Sequence, residues 1–148
     1  MRSRTANWKE CIVAYDKTQE EGTEKKVKES YIVNGDSFTE AEATIVGEMT
    51  SLVGKGFDVV NINPCQFREI FFSEDAEDDR WYKARLQFIT IDERTEREKR
   101  SNVYYLVQAG SFDAAKRNID EVMGKTMIDY VIAKIEETKI VDVFEFNQ

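Results

Sequence analysis

Placing the second half of the chain under the first at an offset of 73 residues pairs Trp8 with Trp81, Val13 with Leu86, Tyr15 with Phe88 and Phe71 with Phe144. Through the middle the offset becomes 74, where Lys26 meets Arg100, Tyr31 meets Tyr105, Val33 meets Val107 and Ser37-Phe38 meets Ser111-Phe112. Ala41, Ile45 and Met49 likewise meet Ala115, Ile119 and Met123. One residue inserted in the second hairpin and one deleted after the helix account for the change. The matches fall on aromatics and helix-spaced apolar positions, so the chain reads as a tandem duplication. The period is longer than that of most solenoid repeats, which predicts two pseudo-twofold halves rather than an array.

Each half reads strand, strand, helix, strand. In the first strand Cys11, Val13 and Tyr15 alternate with Trp8, Glu10 and Ile12, and Ala84, Leu86 and Phe88 alternate likewise with Trp81, Lys83 and Arg85. Polar connections, 16–24 and 92–98, lead to second strands with Val27, Tyr31 and Val33, then Val103, Tyr105 and Val107, on the inner face. Ser37-Phe38-Thr39-Glu40 forms a capping box before a stripe of Phe38, Ala41, Ile45, Met49 and Leu52. Ser111 caps the second helix, whose stripe is Phe112, Ala115, Ile119, Val122 and Met123. Third strands follow near 58–62 and 130–135. Antiparallel order 2-1-3 lets each helix cross back over one sheet face, so the expected class is α+β, a duplicated β-β-α-β unit with mainly antiparallel sheets, each with one helix on one face.

The expected division is a first repeat over 1–72, an acidic linker over 73–79 and a second repeat over 80–148, together one compact domain. Five of the seven linker residues are acidic, against nine cations and twelve acids in 1–72 and twelve of each in 80–148. The net charge of −8 is therefore mostly a linker property. The run lacks the Gly and distal Glu of an EF-hand loop, which favours a solvated connector over a calcium site.

Composition narrows the chemistry. With no histidine in 148 residues, Ser-His-Asp and Cys-His catalysis, His-ligated zinc and His-based pH switching are excluded. Cys11 and Cys65 lie far apart without Cys-x-x-Cys spacing and read as reduced thiols. No Gly-rich phosphate loop occurs, so no cofactor or metal is expected. The N-terminus has no apolar signal core and no stretch approaches a membrane span, which predicts a cytoplasmic protein with no membrane partner.

Six segments carry a family resemblance: Asn7-Trp8; Ser37-Phe38-Thr39-Glu40-Ala41-Glu42-Ala43; Phe71-Phe72-Ser73-Glu74; Asp79-Arg80-Trp81-Tyr82-Lys83; Leu106-Val107-Gln108-Ala109; and Asp142-Val143-Phe144. On these the whole chain resembles a family of small cytoplasmic proteins with a domain of unknown function, encoded mainly by Bacteroidetes and their mobile elements or phages. The resemblance implies no activity and brings no catalytic or binding residues.

The candidate surface is the helix-free sheet side, where alternation places Trp8, Ile12, Ile32, Trp81, Tyr104, Leu106 and Ile132. Apolar residues there need a cover. One reading is a second core, with Lys83, Arg85 and Arg100 laying their stems over it. Another is a protein-binding or assembly surface, engaging a second copy as a homodimer or another protein. A third is a single-stranded nucleic-acid platform, in which Trp81 and Tyr104 stack bases among Lys83, Arg85, Arg100, Lys26 and Lys28. The leading expectation is a non-enzymatic cytoplasmic binding or assembly module associated with a mobile element or phage, with strand binding as the alternative. An enzyme using Glu69 and Asp142, which end the two halves equivalently, is the third.

Overall fold

The structure, a computed structural model, describes residues 1–146. In chain order the elements are β1 (Arg2–Arg4), β2 (Trp8–Thr18), β3 (Glu24–Asn34), α1 (Phe38–Val53), β4 (Phe57–Pro64), β5 (Phe67–Phe72), β6 (Arg80–Ile91), β7 (Glu98–Ala109), α2 (Phe112–Met123), β8 (Tyr130–Glu137) and β9 (Ile140–Phe144). The class is α+β, with two helices and nine strands in two mixed sheets among the described residues. The chain divides into two compact units, one of Ala6–Cys65 with Lys139–Gln148, the other of Met1–Thr5 with Gln66–Thr138.

The unit that begins at Ala6 has sheet order β4-β2-β3-β9. Alternation makes β2 and β3 a long hairpin, and both strands run closer to its tip than the apolar pattern reaches, because 16–18 pair in register with 24–26. β4 lies on the other side of β2, giving the 2-1-3 order that a crossing helix requires. Ser37, in extended backbone, accepts the Glu40 N–H at 3.1 Å and starts α1. The Glu40 carboxylate accepts the Asp36 N–H at 2.8 Å, one residue earlier than in the expected box. Ala41, Ile45 and Met49 pack on Cys11, Val13, Tyr31 and Val33. Phe38 and Leu52, in the first and last turns, stay exposed, and Val53 packs against the core instead.

The other unit has order β1-β5-β7-β6-β8. β6 and β7 pair from Arg80 opposite Ala109 to Ile91 opposite Glu98. Ser111 accepts the Ala114 N–H at 3.1 Å and starts α2, whose Ile119 and Met123 pack with Phe71, Ala84, Leu86, Tyr105 and Val107. The register of β8 on β6 shifts between Arg85 and Leu86. That bulge inverts side-chain parity along β8, so Ile132 packs on the helix side and not on the helix-free side where uninterrupted alternation puts it.

The last strand of each half departs from the expected division at 72 and 80. β5 pairs parallel with β7, and β9 pairs parallel with β3, so each joins the sheet built on the other half's hairpin. With β4 on one side of β2, the edges of that sheet are the outer sides of β4 and β3. β9 fills the edge at β3, stacking Phe144 on Tyr31 with ring centroids 5.3 Å apart. In the other sheet Phe71 of β5 meets Tyr105 at 4.9 Å. The acidic run is also more than a solvated connector. Asp78, half-buried, accepts the Gly110 N–H at 2.9 Å, the Ser73 hydroxyl at 2.5 Å and the Asn118 amide at 3.3 Å.

Candidate functional site

The hairpin register of β6 and β7 sets Arg85 opposite Tyr104 on the helix-free side. Two residues along β6, the Lys83 ammonium stands 5.2 Å from the Tyr104 ring centroid, a cation–π contact. β8 adds Lys134 opposite Arg85, with its ammonium 3.5 Å from Glu136. Arg100, exposed, sits 3.3 Å from Glu98 and donates to Gln87 Oε1 at 3.4 Å. Neither Lys83 nor Arg85 is in an ion pair among the described residues, and the Arg85 Nε–H is buried without an acceptor. Lys83, Arg85, Tyr104 and Arg100 thus lie in one sheet, through the pairing of β6 with β7. Alternation counted from Ile132 gives Lys134 the helix-free side, but its place opposite Arg85 follows only from the register of β8 on β6.

Other members of the expected surface are placed differently. Trp81, Leu106 and Trp8 are 3%, 0% and 2% exposed, so they are core and offer no ring or chain to a ligand. Trp81 packs edge-on against Phe72, ring centroids 5.7 Å apart, within its own unit. Their burial follows from size and apolarity, since a Trp side chain loses most by staying in water. Lys26 and Lys28 are exposed on β3, opposite Asp16 and Ala14, and so belong to the other unit.

The two candidate carboxylates, Glu69 and Asp142, belong to different sheets. Glu69 lies opposite Tyr105 in one sheet and accepts the Thr5 hydroxyl at 3.2 Å, while Asp142 lies opposite Tyr31 in the other. No cluster of three metal-ligating side chains occurs among the described residues. Burial pushes the Cys11 thiol up to about 11, with Glu10 adding to the effect, which keeps it protonated and poorly nucleophilic at neutral pH. Both cysteines are thiols outside any disulfide. A shallow cleft of about 660 Å³ lies at the β6–β7 hairpin, lined by Ile89, Ile91, Glu96, Glu98, Asp129 and Tyr130. The Tyr130 hydroxyl donates to Asp120 at 2.7 Å; burial first, and that bond second, push its pKa up to about 12. No helix is long and apolar enough to cross a membrane among the described residues.

A family model described as a domain of unknown function (DUF4494) matches residues 7–146. No curated protein and no solved structure matches the chain.

Proposed function

The chain belongs to the DUF4494 family, and we propose that it is a non-enzymatic protein-binding module whose Lys83–Arg85–Tyr104 patch receives an acidic segment of its partner. The observation that carries this reading is the unpaired charge. An Arg Nε–H buried without an acceptor costs roughly 1–3 kcal/mol, and a partner carboxylate that accepts from Arg85 and pairs with Lys83 would offset that cost. A stacking platform for single strands is the second reading, supported by Tyr104 and Arg100. Burial of Trp81 and the Lys83 ammonium over the Tyr104 ring leave it less aromatic surface. As part of the same proposal, the chain is a duplicated β-β-α-β unit acting in the cytoplasm as an accessory of a mobile element or phage.

The test uses two labelled probes at low salt: a peptide of residues 73–79, which carries five acids, and a fifteen-nucleotide thymidine strand. Saturable binding of the peptide, weakened at least about tenfold by Arg85→Ala with the fold intact, is the expected result. Binding of the strand alone, with an affinity that falls steeply with salt and is lost in Arg85→Ala, would favour the second reading. If neither probe binds, the patch is a structural feature and the proposal fails.

A further inference from the structure

We infer that the acidic segment received by the Lys83–Arg85–Tyr104 patch is that of a second copy of this chain, the turn at residues 74–77. The inference rests on the reading of that patch given above and names its partner. Turn and patch belong to the same unit and carry opposite charge. Within the acidic run two carboxylates are committed: Asp78 accepts from Gly110 and Asn118, and Asp79 stands 3.7 Å from Arg80. Glu74 and Glu77 are exposed, and neither carboxylate takes part in a hydrogen bond or ion pair among the described residues. On the patch, Glu136 lies opposite Lys83 but is 3.5 Å from Lys134. Lys83 is left without an ion pair, and the buried Arg85 Nε–H without an acceptor.

The turn is ordered before it meets a partner. The Ser73 N–H donates to Gln108 Oε1 at 2.9 Å, the Asp75 N–H to Ser73 Oγ at 3.1 Å and the Glu77 N–H to the Asp75 carboxylate at 3.0 Å. The Asp78 N–H closes the turn on the Asp75 carbonyl at 3.0 Å, and the Glu77 carbonyl sits where a Cβ on Gly110 would strike it. Binding therefore has little conformational freedom left to remove, which favours this segment over a mobile acidic tail. The same anchors keep the turn from its own patch. Asp78 is tied to Asn118 of α2, and α2 packs on the sheet side that Ala84 and Leu86 face. Lys83 and Arg85 alternate with those residues and take the other side. A single chain cannot close the contact; two copies can, each with one turn and one patch. Net charge does not forbid the approach. Residues 80–148, which include the patch, hold twelve cations and twelve acids. With a screening length of about 10 Å at about 0.1 M salt, the pairs at the contact outweigh repulsion between the acidic segments.

The experiment follows the full chain by sedimentation velocity over a concentration series, at two salt concentrations and with the 73–79 peptide as competitor. The expected result is reversible association that salt and the peptide both weaken. Arg85→Ala should weaken it at least about tenfold, and so, independently, should the double variant Glu74→Lys with Glu77→Lys. Mixing the two variants should restore association, and only as pairs, because one supplies an intact turn and the other an intact patch. If Arg85→Ala does not fold, Lys83→Gln takes its place in the mixture. A chain that stays monomeric while the 73–79 peptide binds would overturn this inference and leave the reading of the patch standing. Association that survives the double variant would overturn it as well, by placing the contact on another surface. If neither the peptide nor a second copy binds, both readings fail.

Discussion

Gly110 joins β7 to α2 at a point where the acidic segment closes over the backbone. Its N–H donates to Asp78, and its carbonyl accepts from Arg80 Nη2 at 2.6 Å. A Cβ at this position would meet the Glu77 carbonyl oxygen well inside contact distance, and that oxygen is backbone with little room to move. Gly110→Ala is expected to lower stability by about 1–3 kcal/mol, as overpacking does, read as a lower urea midpoint with an unchanged slope. A midpoint equal to wild type would show that the acidic segment yields freely. At this scale the sequence is informative about caps and silent about contacts. Ser37 and Ser111 are recognisable because capping is local, whereas nothing near Asp78 in sequence indicates Gly110 or Asn118. Lys9 is similar: alternation assigns it to the helix side, but its burial, with Nζ 2.8 Å from the Gly35 carbonyl and 5.9 Å from the Phe38 ring centroid, depends on how the loop before α1 folds back.

The β2–β3 hairpin shows what strand parity controls. Tyr15, Tyr31 and Glu29 share the helix side, and both phenols donate to Glu29, at 2.6 and 3.0 Å, with Lys17 3.7 Å from the same carboxylate. Burial first, and then Glu29, push Tyr15 up to about 12 and raise Tyr31 as well. In the other sheet burial pushes Tyr105 up to about 12. A phenol is neutral when protonated, and its unfolded value is about 10. The folded state thus holds these protons more tightly, so their contribution is fully present below about pH 10 and is lost as pH rises through 12. Denaturant midpoints should be flat from pH 7 to 8, begin to fall as the unfolded-state Cys11 thiol ionises at about 8.5, and fall more steeply from pH 10 upward, together with delayed tyrosinate absorbance at 295 nm. Tyrosines titrating near 10 in the folded protein would contradict this assignment. The alternation places these side chains in sequence alone. The β8 bulge shows the limit of that reasoning, because one extra residue sends Ile132 to the helix side and Lys134 to the other.

For the whole molecule, the exchange of β5 and β9 makes folding a joint property of both halves. Residues 1–72 contain β5 without β7, and residues 80–148 contain β9 without β3. Each fragment of about 70 residues is also near the lower size limit for an independent core. Neither should melt cooperatively alone, while the two co-expressed should copurify and melt as one species. A cooperative, monomeric melt of 1–72 would show that β5 and β9 are dispensable. What could be determined from sequence follows from short-range rules. Period-two alternation and capping serines identify the two hairpins and helices, and a crossing helix requires the 2-1-3 order. Absence of histidine removes whole classes of catalysis. The destination of β5 and β9 was left to tertiary structure, because parity states which face a side chain takes and not which strand lies beside it. Burial of Trp8, Trp81 and Leu106 was decided there too, since an apolar residue on a helix-free face is equally compatible with a core and with an interface. The same holds for the unpaired charges of Lys83 and Arg85: ion pairing depends on distances of a few ångströms between strands, and those exist only once the sheets have formed.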